Sequence, residues 1–309
     1  MSRSTISTFQ LFEMFPDQET ARRYLETRRW PDGVRCPACN GDRITPRANG
    51  FYRCNDCTRE KGKGDFTVRT GTIFERSHIP LHKWIYAMYL VVTARKGISS
   101  LQLAKEIGVT QKTAWFLLGR LREACGDKLE MLRGIIEIDE GYLGGKGGNM
   151  HATVKAKKGG IPDKAVVLGM RERGGKTRGV RITNAAGATL EFAILDHVAP
   201  GSAIHTDEWR GYTSLGVLGY EHKTVNHKAG EYVGADGAST NAIESVWAVL
   251  KRGVYGTYHH VSAKHLGRYV DEFAFRLNEG NVKRQTTPRI DSFIDGTIGK
   301  RLTYKDLIQ

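Results

Sequence analysis

Along the first 130 residues apolar side chains recur at steps of three and four, whereas beyond residue 132 they gather in short blocks separated by glycine. The first pattern predicts helices and the second predicts strands. Between Phe9 and Arg29, positions Phe12, Phe15, Ala21, Tyr24 and Leu25 are interrupted by Pro16, which predicts two short helices, the second capped near Asp17. Trp30-Pro31-Asp32-Gly33 is a turn signal. Trp84, Ile85, Met88, Tyr89 and Val92 then predict a helix from Leu81 that ends before Lys96-Gly97. Two shorter helices follow, Ser100–Ile107 and Gln111–Cys125, joined by Gly108-Val109-Thr110 with Thr110 as the expected N-cap.

The strand pattern starts at Gly134. Blocks at Gly134–Asp139, Ala165–Met170 and Gly179–Thr183 suit an antiparallel meander. A helix (Leu190–Val198), a strand (Ser202–Thr206), a helix (Trp209–Leu218) and a strand (His222–Val225) are expected next. Helices from Asn241 and over Ala263–Asn278 close the series. No internal repeat is visible. The glycine- and lysine-rich stretch from Gly144 to Gly160 reads as a basic loop.

Composition changes this picture in one respect. A 309-residue chain with 40% hydrophobic and 26% charged residues is ordinary for a globular protein, but its net charge is +14. The excess is +8 over residues 1–130 and +6 over the rest. A polyanion running along several domains accounts for that spread; a generally basic protein would show it too. Residues 1–15 lack the pattern of a secretory signal, and the longest apolar stretch, Trp84 to Ala94, is too short to span a bilayer. A cytoplasmic protein without membrane contact is expected.

Four of the five cysteines form Cys36-Pro37-Ala38-Cys39 and Cys54-Asn55-Asp56-Cys57, with 14 residues between the pairs. Two such knuckles across a short hairpin can hold Zn²⁺ with four thiolates, and so small a segment needs a metal for much of its folding energy. Nearby Arg35, Arg43, Arg47, Arg53 and Arg59 favour nucleic acid as partner. Cys125 stands apart as a packing thiol. The helix pair around Gly108-Val109-Thr110 fits a helix-turn-helix, although any compact helical hairpin shares its pattern. In that motif Gln111, Lys112 and Thr113 would approach base edges and Arg120 and Arg122 would reach phosphates.

Three acids lie where strands and a helix could bring them together: Asp139, Asp207 and Glu244, with 67 and 36 residues between them. Carboxylates converging from such positions can hold two divalent cations for an in-line phosphoryl displacement. Each acid has another reading. Asp207 could cap a helix, Glu244 sits at capping-box spacing from Asn241, and Glu137 shares a strand face with Asp139. Lys251, seven residues beyond Glu244, lies near the same helix face and could hold a DNA phosphate. His259, His260 and His265 show no ligand spacing relative to the acids.

Longer segments carry a family resemblance: Arg29-Trp30-Pro31 leading into the first knuckle, 66–72 (FTVRTGT), 137–145 (EIDEGYLGG), 205–212 (HTDEWRGY), 241–252 (NAIESVWAVLKR), 258–262 (YHHVS) and 271–276 (DEFAFR). With these, nearly the whole chain resembles the DDE transposases of bacterial insertion sequences, in the branch with an N-terminal zinc ribbon. The resemblance implies an α/β fold with a ribonuclease-H-like mixed-sheet catalytic core preceded by the ribbon and a helix-turn-helix domain. It implies Asp139, Asp207 and Glu244 as ligands of Mg²⁺ or Mn²⁺, with Lys251 as an auxiliary basic residue; Asn241 is the alternative third ligand, since some members place asparagine or histidine as the third ligand. Expected boundaries are 1–30 for N-terminal helices, 31–75 for the ribbon, 80–130 for helix-turn-helix, 131–285 for the core and 286–309 for a tail. Lys155, Lys157 and Lys158 of the 144–160 loop are expected to touch DNA. The expected partners are double-stranded DNA, as element ends and target, and further copies of the chain on DNA; no small-molecule substrate is expected. The rival readings are a non-enzymatic DNA-binding regulator and a nuclease or resolvase on the same core.

Overall fold

The computed structural model describes residues 5–61, 64–126, 130–144, 164–226, 233–234, 237–280 and 285–309. The chain divides into two compact units, residues 1–126 with 279–309, and residues 127–278. Lys155, Lys157 and Lys158 lie outside the described residues.

The first unit starts with α1 (Thr8–Met14) and α2 (Gln18–Arg29). Ser7 and Gln10 form a capping box on α1, and the Asp17 carboxylate accepts from the Thr20 N–H at the start of α2. A three-stranded antiparallel sheet follows, β1 (Ile44–Pro46), β2 (Phe51–Cys54) and β3 (Asp65–Thr67), with α3 (Asn55–Lys61) inserted before β3. Its small core is three cysteines with Phe66, and Trp30 and Tyr52 pack against it.

Next come α4 (Leu81–Thr93), α5 (Ser100–Ile107) and α6 (Gln111–Cys125). The break between α5 and α6 has a local cause. Gly108 takes φ 64° and ψ 53°, the left-handed C-cap conformation, and the Thr110 hydroxyl accepts from the Thr113 N–H to start α6. Residues 286–309, expected as a tail, instead contribute α10 (Thr286–Asp295) and α11 (Tyr304–Ile308) to this unit. Leu307 of α11 packs on Gly119, where a Cβ would come within 2.9 Å of it.

The second unit holds a five-stranded mixed sheet of β4 (Ile135–Leu143), β5 (Ala165–Glu172), β6 (Thr177–Ile182), β7 (Ala203–Asp207) and β8 (Glu221–Val225). The spatial order is β6-β5-β4-β7-β8. The β4–β5 and β5–β6 pairs are antiparallel, while β7 runs parallel to both β4 and β8. Alternate residues of β4 serve two cores. Ile136 and Ile138 join Leu190, Ala193 and Ile194 of α7 (Gly187–His197) on one face. Leu143 joins Ile243, Trp247 and Leu250 of α8 (Asn241–Gly253), with Phe273 of α9 (Leu266–Glu279), on the other.

Two expectations change here. β4 runs on to Leu143 because β5 pairs with it as far as Leu143↔Ala165, so Asp139 is interior to the strand. The helix expected over Trp209–Leu218 is only a 3₁₀ turn, Arg210–Tyr212, followed by turns. No described helix is long and apolar enough to cross a membrane.

Candidate metal centres and nucleic-acid interface

The four ribbon sulfurs, Cys36, Cys39, Cys54 and Cys57, all lie within 4.8 Å of one another. The pairs Cys36–Cys57 and Cys39–Cys54 are 3.8 and 3.6 Å apart. Zn–S bonds of about 2.3 Å at tetrahedral angles set sulfurs about 3.8 Å apart, so the cluster has the dimensions of a zinc site. The Ala38 and Cys57 N–H groups point at the sulfurs of Cys36 and Cys54, at 3.4 and 3.5 Å. Hydrogen bonding to its neighbours, Cys39 first, pushes the Cys57 thiol up to about 12 in the absence of a cation. Four sulfurs this close cannot all ionise without one, and a divalent ion supplies what the cluster lacks.

The acids of the second unit come together differently. In the parallel β4–β7 ladder Ile135, Ile136 and Glu137 face Ala203, Ile204 and His205. Two residues beyond the end of that ladder, Asp139 and Asp207 lie on neighbouring strands, on the same face as Glu137 and His205. Asp139 is held on both oxygens: Oδ1 accepts from the Glu140 N–H at 2.8 Å and Oδ2 from the Trp247 indole at 2.9 Å. Burial raises its pKa above the usual carboxylate value, and repulsion from Asp207 and Glu244 adds to this. Those two carboxylates are therefore close enough to be felt. Glu244, exposed in the first turn of α8, lies 3.4 Å from the Thr240 hydroxyl. Asp207 accepts from the Trp209 N–H at 3.0 Å. Among the described residues only the cysteine quartet draws all its ligand atoms within 4.8 Å; the three carboxylates form a looser, open group.

The alternatives for these acids resolve into distinct jobs. Thr240 precedes α8 without a side-chain cap, and no Asn241–Glu244 box closes there. Glu137 does that work from the adjacent strand. Its Oε2 accepts from the Ala242 and Ile243 N–H groups at 2.7 and 3.2 Å. It is 2% exposed and ion-paired with Arg173 at 3.4 Å. The same guanidinium lies 3.2 Å from His205 Nδ1, which also accepts from the Ser239 N–H. Glu137 thus joins the strand bearing Asp139 to the helix bearing Glu244. Glu140 points to the other face, accepts from the Tyr212 hydroxyl at 2.6 Å, and is raised to about 7 by burial first and by Asp139 and Asp207 next.

Sequence reasoning missed the seat of Trp247. A Cβ at Gly141 or Gly169 would come within 2.7 or 2.6 Å of its ring, so the sheet is cut away to let the indole reach Asp139. Gly169, inside the strand expected over Ala165–Met170, was the signal available; Gly141 lay beyond the strand expected to end at Asp139. Lys251 is exposed in the last turn of α8.

In the first unit Gln111 and Lys112 are exposed at the start of α6 and Thr113 is half-buried. Gln111 donates to the Ser100 hydroxyl at 2.8 Å, and the Lys112 ammonium sits 5.0 Å over the Tyr304 ring. Arg120 and Arg122 do not belong to a phosphate-facing surface. They are 7% and 3% exposed, and Arg120 donates to the carbonyls of Leu302, Ile73 and Glu75. α11 and the segment before it cover that side of α6, which a reading of α6 by itself could not anticipate.

Comparison with known proteins gives the family. Residues 131–278 match the ISXO2-like transposase domain, and residues 16–60 match the transposase zinc-ribbon domain. The chain is 30% identical over 277 residues to an uncharacterized protein in transposable element ISH50 of Halobacterium salinarum, which covers 85% of this chain and 91% of that one. It is 28% identical over 106 residues to an uncharacterized transposase-like protein of Haemophilus influenzae, 34% of this chain and 84% of that one.

Proposed function

Since the chain belongs to the ISXO2-like family of DDE transposases with an N-terminal zinc ribbon, we propose that it binds the ends of its insertion sequence, cleaves there and joins the freed end to target DNA. The strand order of the second unit, with β7 and β8 parallel to β4 and helices on both faces, supports a ribonuclease-H-like core. The observation that carries the proposal is the placement of Asp139 and Asp207 on adjacent parallel strands, with α8 and Glu244 against the same face.

Asp139, Asp207 and Glu244 would hold Mg²⁺ or Mn²⁺. A partly buried group of mutually repelling carboxylates fits a hard divalent cation, and the anionic Glu244 suits one better than the neutral amide of Asn241. Such ions supply activation of the attacking oxygen and stabilisation of charge on the leaving one. The protein's own part is positioning: Trp247 and the Glu140 N–H orient Asp139, Glu137 fixes the start of α8, and Lys251 would steady a backbone phosphate. Cys36, Cys39, Cys54 and Cys57 would hold structural zinc. The turn between α5 and α6 supports a helix-turn-helix in which Gln111, Lys112 and Thr113 read the element end. Further copies of the chain would assemble on that DNA.

The test is strand cleavage and joining on a labelled element end, beside a binding assay. Asp139→Asn, Asp207→Asn and Glu244→Gln each keep shape and remove charge. Losing a ligand should cost several kcal/mol of transition-state stabilisation, roughly 10³-fold in rate, with DNA binding retained. Full activity in Glu244→Gln with a dead Asn241→Ala would move the third ligand to Asn241. Joining by all three neutralised variants would end the enzymatic reading.

A further inference from the structure

The first unit contains a second concentration of positive charge, away from α6. A pocket of about 510 Å³ opens between the ribbon and the segment leading to α11. Arg29, Arg35, Lys300 and Arg301 line it together with Trp30 and Gly71, and among the described residues no carboxylate does. Its two sides are tied together: Thr72 bridges Ile298, and the Gly299 N–H donates to the Gly71 carbonyl at 2.9 Å.

The four cations are held to different degrees. Arg29 is half-buried, lies 4.8 Å over the Trp30 ring and donates to the Val68 carbonyl at 2.6 Å. Among the described residues it has no carboxylate partner, so its charge is only partly compensated. Burial lowers its pKa accordingly. Lys300 donates to the carbonyls of Glu123 and Gly126 at the end of α6. Arg301 is exposed and lies 3.5 Å from Glu75, outside the lining. Arg35 is exposed and reaches only the Asn40 carbonyl, at 3.4 Å. Behind Cys36 the thiolates of a zinc-loaded ribbon would carry negative charge, which the nearer arginines could serve to balance. Arg35 and Arg301 stay exposed, Arg301 beside Glu75, whose carboxylate a phosphate would have to outcompete.

We propose that this pocket binds the phosphodiester backbone of DNA, so that the ribbon and the C-terminal segment grip the duplex together. The assignment rests on the DNA-binding part of the proposed function but not on cleavage. Arg35 and Arg301, reaching in from two chain segments, can hold backbone oxygens with charge-assisted hydrogen bonds. They carry no base information, so the grip should position the protein rather than select sequence.

The experiment uses the full chain, zinc-loaded and without added Mg²⁺ or Mn²⁺, and a random-sequence duplex. Kd is measured across a salt series for the wild type, for Arg35→Gln with Arg301→Gln, and for a control of equal charge change, Arg95→Gln with Lys96→Gln. Both pairs are exposed, so folding is checked by zinc content and melting temperature rather than assumed. Each phosphate that is no longer neutralised should reduce the slope of log K against log salt by about 0.9, so the pocket pair should lower it by nearly 2 and the control should not. An unchanged slope in a folded, zinc-loaded pocket variant overturns the proposal. So does zinc loss without a change in slope, because the arginines would then only balance thiolates. Inorganic phosphate alone is the last arm: if it raises the melting temperature of the wild type but not of the pocket variant, while duplex binding is equal in both, the site takes a free anion and not DNA. A lowered slope in a protein that proves unable to cleave would retain the pocket and discard the catalytic reading.

Discussion

The ribbon cysteines and the proposed acidic centre would each gather ligands for a cation, and they would do so by opposite means. The ribbon's four sulfurs come from 22 consecutive residues and close to within 4.8 Å, with hydrogen bonds of the knuckles aimed inward. The acids come from two strands and a helix spread over more than a hundred residues, and they remain open to one side. A closed soft-ligand shell leaves no position for a reactant, which is what a structural ion needs. An open carboxylate group leaves coordination positions for phosphate oxygens. In the ribbon the metal would hold the fold; in the core the fold would hold the ligands.

That contrast predicts the largest effect at the ribbon. Cys54→Ser, or chelation of the native protein, should remove one zinc per chain and unfold residues 31–75. Structural zinc contributes on the order of 10 kcal/mol to small domains, far more than the Cys36, Cys54, Cys57 and Phe66 cluster can supply by burial. Hydrogen exchange by peptide checks it: ribbon peptides should lose protection while β4 and β5 keep theirs. A ribbon equally protected without metal would erase the distinction between the two centres.

The next effect tests whether the fold holds the acids. Gly169→Val places side-chain carbon where the Trp247 ring and Ile243 now sit, at 2.6 and 2.7 Å from a Cβ. Overpacking of this kind costs roughly 1–3 kcal/mol. It should also push the indole off Asp139, so cleavage should fall further than stability explains. A variant that melts lower but cleaves normally would show that the seat of α8 matters only for packing.

What is legible in the sequence follows the same division. The ribbon is written in local spacing, as are Asp17 and Thr110, because a cap or knuckle depends on residues two to four apart. Asp139, Asp207 and Glu244 are singled out as candidates by family resemblance, although the strand ending read at Asp139 is not one, since β4 runs on to Leu143. Their arrangement is not legible, because it depends on β7 inserting parallel to β4 while β5 extends the pairing past Asp139. The helix expected at Trp209 fails for a similar reason. There the chain is anchored by Asp207 accepting from the Trp209 N–H and by the indole donating to the Ala185 carbonyl, neither of which leaves a periodic trace. Arg120 is turned inward because the stretch of chain covering α6 arrives from residue 302, far along the sequence.

Glu137 permits a finer cut. Removing its carboxylate in Glu137→Ala leaves two N–H groups at the start of α8 without an acceptor, a loss of roughly 1–3 kcal/mol each if water does not replace it. Glu137→Gln keeps an acceptor oxygen and loses the ion pair to Arg173. Gln should therefore recover more of both stability and metal response than Ala. The check is the Mn²⁺ concentration that half-saturates the protein, read by Mn²⁺ electron spin resonance. If both variants bind Mn²⁺ as the wild type does, Glu137 does not help to place Glu244.

The smallest expected effect is a pH dependence of opposite sign in the two units. In the first unit Asp17, Asp65 and Asp306 are lowered below the ordinary carboxylate value by hydrogen bonds from Thr20, Arg53 and Thr303 respectively. Their contribution is present above the unfolded pKa of 3.8 and is lost as pH falls through the lower folded values. Glu140 in the second unit is raised from 4.5 to about 7, mainly by burial. Its protonated form is the one that the fold favours, so the stability linked to it is full below 4.5 and is lost as pH rises through about 7. Between pH 5 and 8 the first set is constant and Glu140 is not. The metal-free protein should therefore melt a few degrees higher at pH 5 than at pH 8, and Glu140→Gln should flatten that difference. Mg²⁺ at pH 8 should restore part of the loss, because a cation held by Asp139 and Asp207 offsets the repulsion that Glu140 feels from them. A slope that survives Glu140→Gln would place the pH-sensitive group elsewhere, and a slope indifferent to Mg²⁺ would separate Glu140 from the acidic centre.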